Sequence, residues 1–126
     1  MLQRSPMYAY IPVADLSRAR QFYEQKLGFV PKDESNGGVI YQCGDHTACF
    51  MYPSSFAGTS RASQAFWQVD DVEREVAELK KKGVTFEEYD MPGMKTENGI
   101  LELGAGIKAA FFKDPDGNIL GLGQRT

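Results

Sequence analysis

Groups able to do acid–base, nucleophilic or metal chemistry are few in this 126-residue chain, and they are scattered. Its one histidine, His46, lies in Gly44-Asp45-His46-Thr47, a hairpin-tip sequence. A single imidazole cannot build a metal site, and it acts as acid or base only if a ligand or another chain approaches, so it reads as an exposed turn residue. Cys43 and Cys49 flank that hairpin with only His46 between them as an activating group, so they read as structural thiols. Phe86-Glu87-Glu88-Tyr89-Asp90 gathers three carboxylates. Strand alternation sends Glu87 and Glu88 to opposite faces, which is poor geometry for an acid/base pair. Gly104-Ala105-Gly106 precedes no helical pattern and is not a phosphate loop. Lys80, Lys81 and Lys82 close an acid-first helical pattern, where cations complement the helix dipole on a solvated face.

Stepping from these residues to the elements that carry them, the chain repeats itself. "VADLSRARQFYEQKLGFVPKDE" from Val13 and "VDDVEREVAELKKKGVTFEEY" from Val69 share one order: an apolar strand, an Asp, a helical pattern, a Gly and a β-rich run. The offset is about 56 residues. Asp15 and Asp71 suit N-cap duty, and Gly28 and Gly83 stand where a left-handed residue ends a helix. Leu16, Ala19, Phe22, Tyr23 and Leu27 recur at helical spacing, as do Val72, Val76 and Leu79. Strand patterns follow each helix: residues 29–34, 38–43 and 47–52 in the first half, and 84–89, 107–113 and 118–122 in the second. The turn Asp114-Pro115-Asp116-Gly117-Asn118 is expected to set the register of the last strand. Small and polar residues at 54–63 read as a linker between module one (about 7–53) and module two (about 64–123). The insertion 90–99 is expected to lack regular structure, with residues 100–103 as a short extra strand. It reads either as a surface loop or as a lid closing Met91 and Met94 on a ligand.

Composition narrows the class. A hydrophobic fraction of 42% and a charged fraction of 25% suit one folded domain, expected over residues 1–126. A net charge of −3 offers no basic face, so neither nucleic acid nor an anionic membrane is an expected partner. No apolar run approaches a spanning helix, the start of the chain lacks a signal-peptide pattern, and two cysteines are too few for a disulfide scaffold. A reducing cytoplasm is the expected setting.

"VADLSRARQFYEQKLGF" and "FFKDPDGNILGL", with the repeated modules around them, resemble the vicinal oxygen chelate superfamily of glyoxalases, bleomycin-resistance proteins and extradiol dioxygenases. The resemblance covers nearly the whole chain. It implies an α+β fold in which two tandem βαβββ modules form a curved mixed sheet around a cleft, with helices on the outer face. It also implies a homodimer. Enzymes of the family hold a divalent metal in the cleft with His, Glu or Gln. The matching positions here are Tyr8, seven residues before Asp15; Gln64, six before Asp70; Gly121, four after Gly117; and one of Cys49, Phe50 or Met51. Gly121 has no side chain, so that corner of the cleft is expected to be open. No metal or other cofactor is expected, because three hard ligands do not converge.

Alternation then sorts the faces. Tyr8, Tyr10 and Pro12 share the cleft side of the first strand, and Gln64, Phe66 and Gln68 share the corresponding side of the second module. Phe50 and Tyr52 join them if the fourth strand keeps register, while Trp67 belongs behind, under the helix or at a subunit contact. Rings with sparse amide and hydroxyl groups suit flat or apolar organic molecules. The expected ligand-binding set is Tyr8, Tyr10, Phe50, Tyr52, Gln64, Phe66, Gln68, Met94 and Gly121; no catalytic residue is assigned. The leading expectation is a metal-independent small-molecule-binding protein. A metal-dependent lyase or isomerase of glyoxalase type using Gln64, and an interaction or sensing module without catalysis, stand as alternatives.

Overall fold

A computed structural model describes residues 1–34 and 37–125; Ser35, Asn36 and Thr126, part of the expected 1–126 domain, lie outside the described residues. The chain forms two compact units. Of the described residues, one unit comprises those of 1–60 with 115–118, and the other those of 61–114 with 119–125.

In the first unit β1 (Tyr8–Val13) leads into α1 (Leu16–Arg20), which continues as wide i→i+5 turns over Gln21–Lys26. Asp15 caps the helix by accepting from the Arg18 amide at 3.1 Å. Then come β2 (Pro31–Asp33), β3 (Val39–Gln42) and β4 (Ala48–Pro53), in the sheet order β1-β4-β3-β2. β1 and β4 run parallel, and the other pairs are antiparallel. Ile11 and Val13 are buried with Ala19, Phe22 and Tyr23, as the alternation of β1 requires. Tyr23 stacks on Tyr41 at 6.1 Å. The Tyr41 hydroxyl donates to Glu24, which also receives Arg20 at 2.7 Å. Burial, with that bond, holds the Tyr41 phenol above its usual pKa.

The four residues 115–118 complete this unit. Asn118, 2% exposed, donates from Nδ2 to the Pro12 carbonyl at 2.7 Å and accepts from the Gly58 amide at 3.1 Å. Asp116 accepts from the Ala14 amide and from Arg18 at 2.8 Å. Gly58 passes so close that a Cβ there would lie 1.7 Å from the Asp116 carbonyl oxygen. The turn therefore does more than set the register of the last strand. Its side chains hold the end of β1 and the segment after β4.

The second unit repeats the order with β5 (Ser63–Gln68), α2 (Val72–Lys81), β8 (Ile100–Glu102), β9 (Lys108–Lys113) and β10 (Ile119–Gln124), arranged β5-β10-β9-β8. β5 begins at Ser63, at the end of the expected linker. β5 and β10 are parallel. Asp71 caps α2 through the Arg74 amide, and Gln124 Oε1 accepts from the Val72 amide at 2.8 Å. Gly28 and Gly83 have φ of 81° and 90°, the left-handed geometry that ends each helix.

Two expectations are corrected in this unit. Residues 84–89 do not form a strand. Only Phe86 bridges to Phe112 and the Glu87 amide to the Phe111 carbonyl, and β8 takes the rest of the β9 edge. The insertion 90–99, expected to be irregular, contains β6 (Asp90–Met91) paired with β7 (Met94–Lys95). One cause accounts for both. Glu88 accepts from the Thr96 hydroxyl and from the Gly99 amide, and Tyr89 and Thr96 exchange further bonds, which draws 88–99 into its own hairpin.

Candidate functional site

Each sheet has one face under its helix and one bearing the rings and amides expected at the site. On the first unit's open face, β1 and β4 pair Tyr10 with Phe50 and Pro12 with Tyr52. Tyr10 meets Phe50 edge-on at 5.9 Å and Tyr52 at 5.5 Å, and Phe50 and Tyr52 stack at 5.9 Å. Phe50 lies over Gly38, where a Cβ would come within 2.5 Å of the ring. These rings fill one another's flanks. Tyr8 stands at the strand end, 46% exposed and opposite Ala48.

The second unit's open face is built differently. Phe66 on β5 is opposite Gly121 and Gln68 opposite Gly123, so β10 presents no side chain between them. Phe66 lies across this strip: a Cβ on Gly123 would be 3.2 Å from its ring, and one on Gly121 would be 3.4 Å from its Cβ. Phe111, opposite Gly121 on β9, covers the other flank at 3.0 Å. The corner expected to stand open beside Gly121 is therefore occupied by the rings of its neighbours. Phe66 nonetheless remains 68% exposed. Beside it lies a hollow of about 460 Å³ lined by Gln64, Phe66, Gln68, Leu103, Ile107 and Phe111.

Of the expected second-unit residues, Gln64, Phe66 and Gln68 thus meet at one hollow, whereas Gly121 lies beside the Phe66 Cβ and is not among the residues lining the hollow. Met94 does not line it; it pairs with Met91 on the β6–β7 hairpin, both exposed. Trp67 stacks on Phe112 at 6.5 Å, on the side of β5 opposite Phe66, in keeping with its parity. Phe111, Leu103 and Ile107 were not anticipated. Phe111 had a signal in the alternation of "KAAFFK", which puts it and Ala109 on one face and Phe112 on the other.

The remaining reactive groups stay apart from these faces. His46 is exposed on a short turn at φ 64°. The Cys49 thiol is held above its usual pKa, first by its hydrogen bond with Cys43 and then by burial, which makes it a poor nucleophile. Glu87 pairs with Lys113 at 3.5 Å, whereas Glu88 serves the hairpin, which leaves the two carboxylates on separate tasks. Among the described residues no three His, Cys, Asp or Glu side chains form a group suited to a metal ion. The positions assigned to metal ligands by resemblance do not fit one either. Gly121 supplies no donor, Tyr8 supplies a phenol, and Gln64 supplies one neutral amide oxygen. No helix among the described residues is long and apolar enough to cross a membrane.

Paired βαβββ units, each with a parallel first and last strand, define a recognisable class of fold. The model of the Glyoxalase/Bleomycin resistance protein/Dioxygenase superfamily matches residues 6–122, and the chain belongs to that superfamily. Among curated proteins no sequence match is found. Solved structures similar to it include TnmS3, an antibiotic binding protein from Streptomyces sp. CB03234, with a TM-score of 0.71 and 24% identity over 100% of this chain and 99% of that one. A glyoxalase/bleomycin resistance protein from the same Streptomyces strain has a TM-score of 0.65 and 25% identity, covering 95% of this chain and 100% of its own. A glyoxalase family protein from Enterococcus faecalis has a TM-score of 0.72 and 20% identity, covering 98% and 99%.

Proposed function

We propose that this chain is a metal-independent binding protein for flat aromatic or apolar organic molecules. The observation that carries the reading is the exposed Phe66 ring on its glycine strip, beside a hollow with few polar groups. A large ring left in water next to an apolar concavity gains free energy when a second flat surface covers it. A similar solved structure described as antibiotic binding agrees in kind. Tyr10, Phe50 and Tyr52, with Tyr8 at the strand end, form a second aromatic surface available for stacking. Among the described residues no three His, Cys, Asp or Glu side chains form a metal group, and Glu87 and Glu88 serve separate partners, which supports binding over metal-dependent catalysis. A cytoplasmic setting is consistent with two free cysteines, and a homodimer follows from the resemblance; light scattering checks the latter.

Titration calorimetry with planar aromatic probes, on protein treated with a chelator, tests the reading. Binding should survive the chelator, and Phe66→Ala should weaken it about tenfold or more, as expected for a central aromatic contact. Binding that requires an added divalent ion, or hemithioacetal turnover that does, would favour the lyase or isomerase instead.

A further inference from the structure

We infer that Gln64 makes the hollow selective for ligands that place an N–H or O–H donor beside their flat face; this rests on the binding reading above. Two observations converge on the residue. The Gln64 Oε1 atom is buried and accepts no hydrogen bond among the described residues. Gln64 also sits at an irregularity of the sheet. The β5–β10 register steps from Ser63–Ile119 to Ala65–Leu120, so Gln64 is opposite no residue of β10. Such bulges re-aim a side chain that regular pairing would direct elsewhere.

Two of the neighbouring polar groups are already committed. Gln124 Oε1 accepts from the Val72 amide, and the Lys108 ammonium binds Glu73. Gln64 thus lines the hollow with a carbonyl oxygen that is buried and has nothing to accept among the described residues. Burying such an oxygen without a donor costs stability, and a ligand that brings the donor removes that cost. The complement is a phenol, an aromatic amide or an indole. A site built to pair a donor discriminates strongly against the analogue that lacks it, because the protein's own buried group is then left unpaired.

Calorimetry with 2-naphthol and 2-methoxynaphthalene, on the wild type and on Gln64→Met, tests the assignment. The wild type should prefer 2-naphthol over its methyl ether by about tenfold or more. Gln64→Met should bring the two within about twofold, chiefly by weakening the naphthol. Gln64→Met should also melt at or above the wild-type temperature, since it removes an unpaired acceptor. Equal binding of naphthol and ether by the wild type, or a preference that persists in the variant, would overturn the inference and leave the binding reading standing. A clear fall in melting temperature would overturn it too, by showing that the oxygen is partnered in the folded protein. If no naphthalene binds at all, the binding reading fails and this inference fails with it. Binding only with an added divalent cation would assign the oxygen to an ion and overturn the donor assignment.

Discussion

The two units follow one plan with opposite treatments of the same strand position. In the first, the strand parallel to β1 sets Phe50 and Tyr52 beside Tyr10 and Pro12, and the rings pack against one another. In the second, the strand parallel to β5 sets Gly121 and Gly123 beside Phe66 and Gln68, and a hollow remains. Tyr10 and Phe66 occupy matching places, and their exposures, 67% and 68%, are alike. What differs is the neighbour. Side chains on β4 spend the space on ring–ring contact, whereas glycines on β10 let one ring lie flat and leave room for something else. A duplicated βαβββ frame can thus keep its helix-side core and change its open face by altering residues on one strand.

A second asymmetry gives the largest expected effect. The first unit is completed by residues 115–118, and the second has no borrowed segment of this kind. Asn118→Ala removes the partner of both the Pro12 carbonyl and the Gly58 amide. It should cost about 2–4 kcal/mol in urea unfolding, since two backbone groups lose their bond in a buried place. A loss below about 1 kcal/mol would mean that the turn is held by its own geometry rather than by Asn118.

The contrast between the open faces predicts a smaller, divided effect. Phe50→Ala should cost about 1–3 kcal/mol, because its ring touches Tyr10, Tyr52 and the backbone around Gly38. Phe66→Ala should cost less than about 1 kcal/mol, because most of that ring is already in water. Its effect belongs to ligand binding. Equal losses of stability would show that Phe66 is packing rather than surface, and the contrast between the units would dissolve.

The parts legible in the sequence are those set by local spacing. Asp15 and Asp71 cap their helices, Ile11 and Val13 turn inward while Tyr8 and Tyr10 turn outward, and Trp67 falls on the helix side, all from periods of 3.6 and 2. Illegible parts depend on partners distant in the chain. Glu88 reads as strand until Thr96 and Gly99 claim its carboxylate. Gly121 reads as an opening until β9 and β5 are in register and bring Phe111 and Phe66 over it. Asn118 reads as a turn residue, and nothing local tells that its amide reaches residues 12 and 58. The hollow itself follows from cross-strand register, including the step at Gln64, which no single run of residues encodes.

The smallest effect concerns the hairpin excursion of the second unit. Glu88 is on the surface, yet its carboxyl is held below the usual carboxylate range, first by the Thr96 hydroxyl and then by the Gly99 amide. A carboxylate whose pKa is lower folded than unfolded stabilises its structure above the unfolded value and ceases to do so as pH falls through the folded one. The hairpin 88–99 should therefore loosen at a pH below the ordinary glutamate range, while the first unit stays indifferent to that step. The Gly99 amide resonance reads it directly: its shift should titrate with a midpoint below that of an ordinary glutamate, and Glu88→Gln should abolish the titration. A midpoint at or above the ordinary value would mean that the two bonds do not favour the ionised carboxyl. The hairpin would then owe its shape to the β6–β7 pairing alone, and the account given for the missing strand at 84–89 would fail.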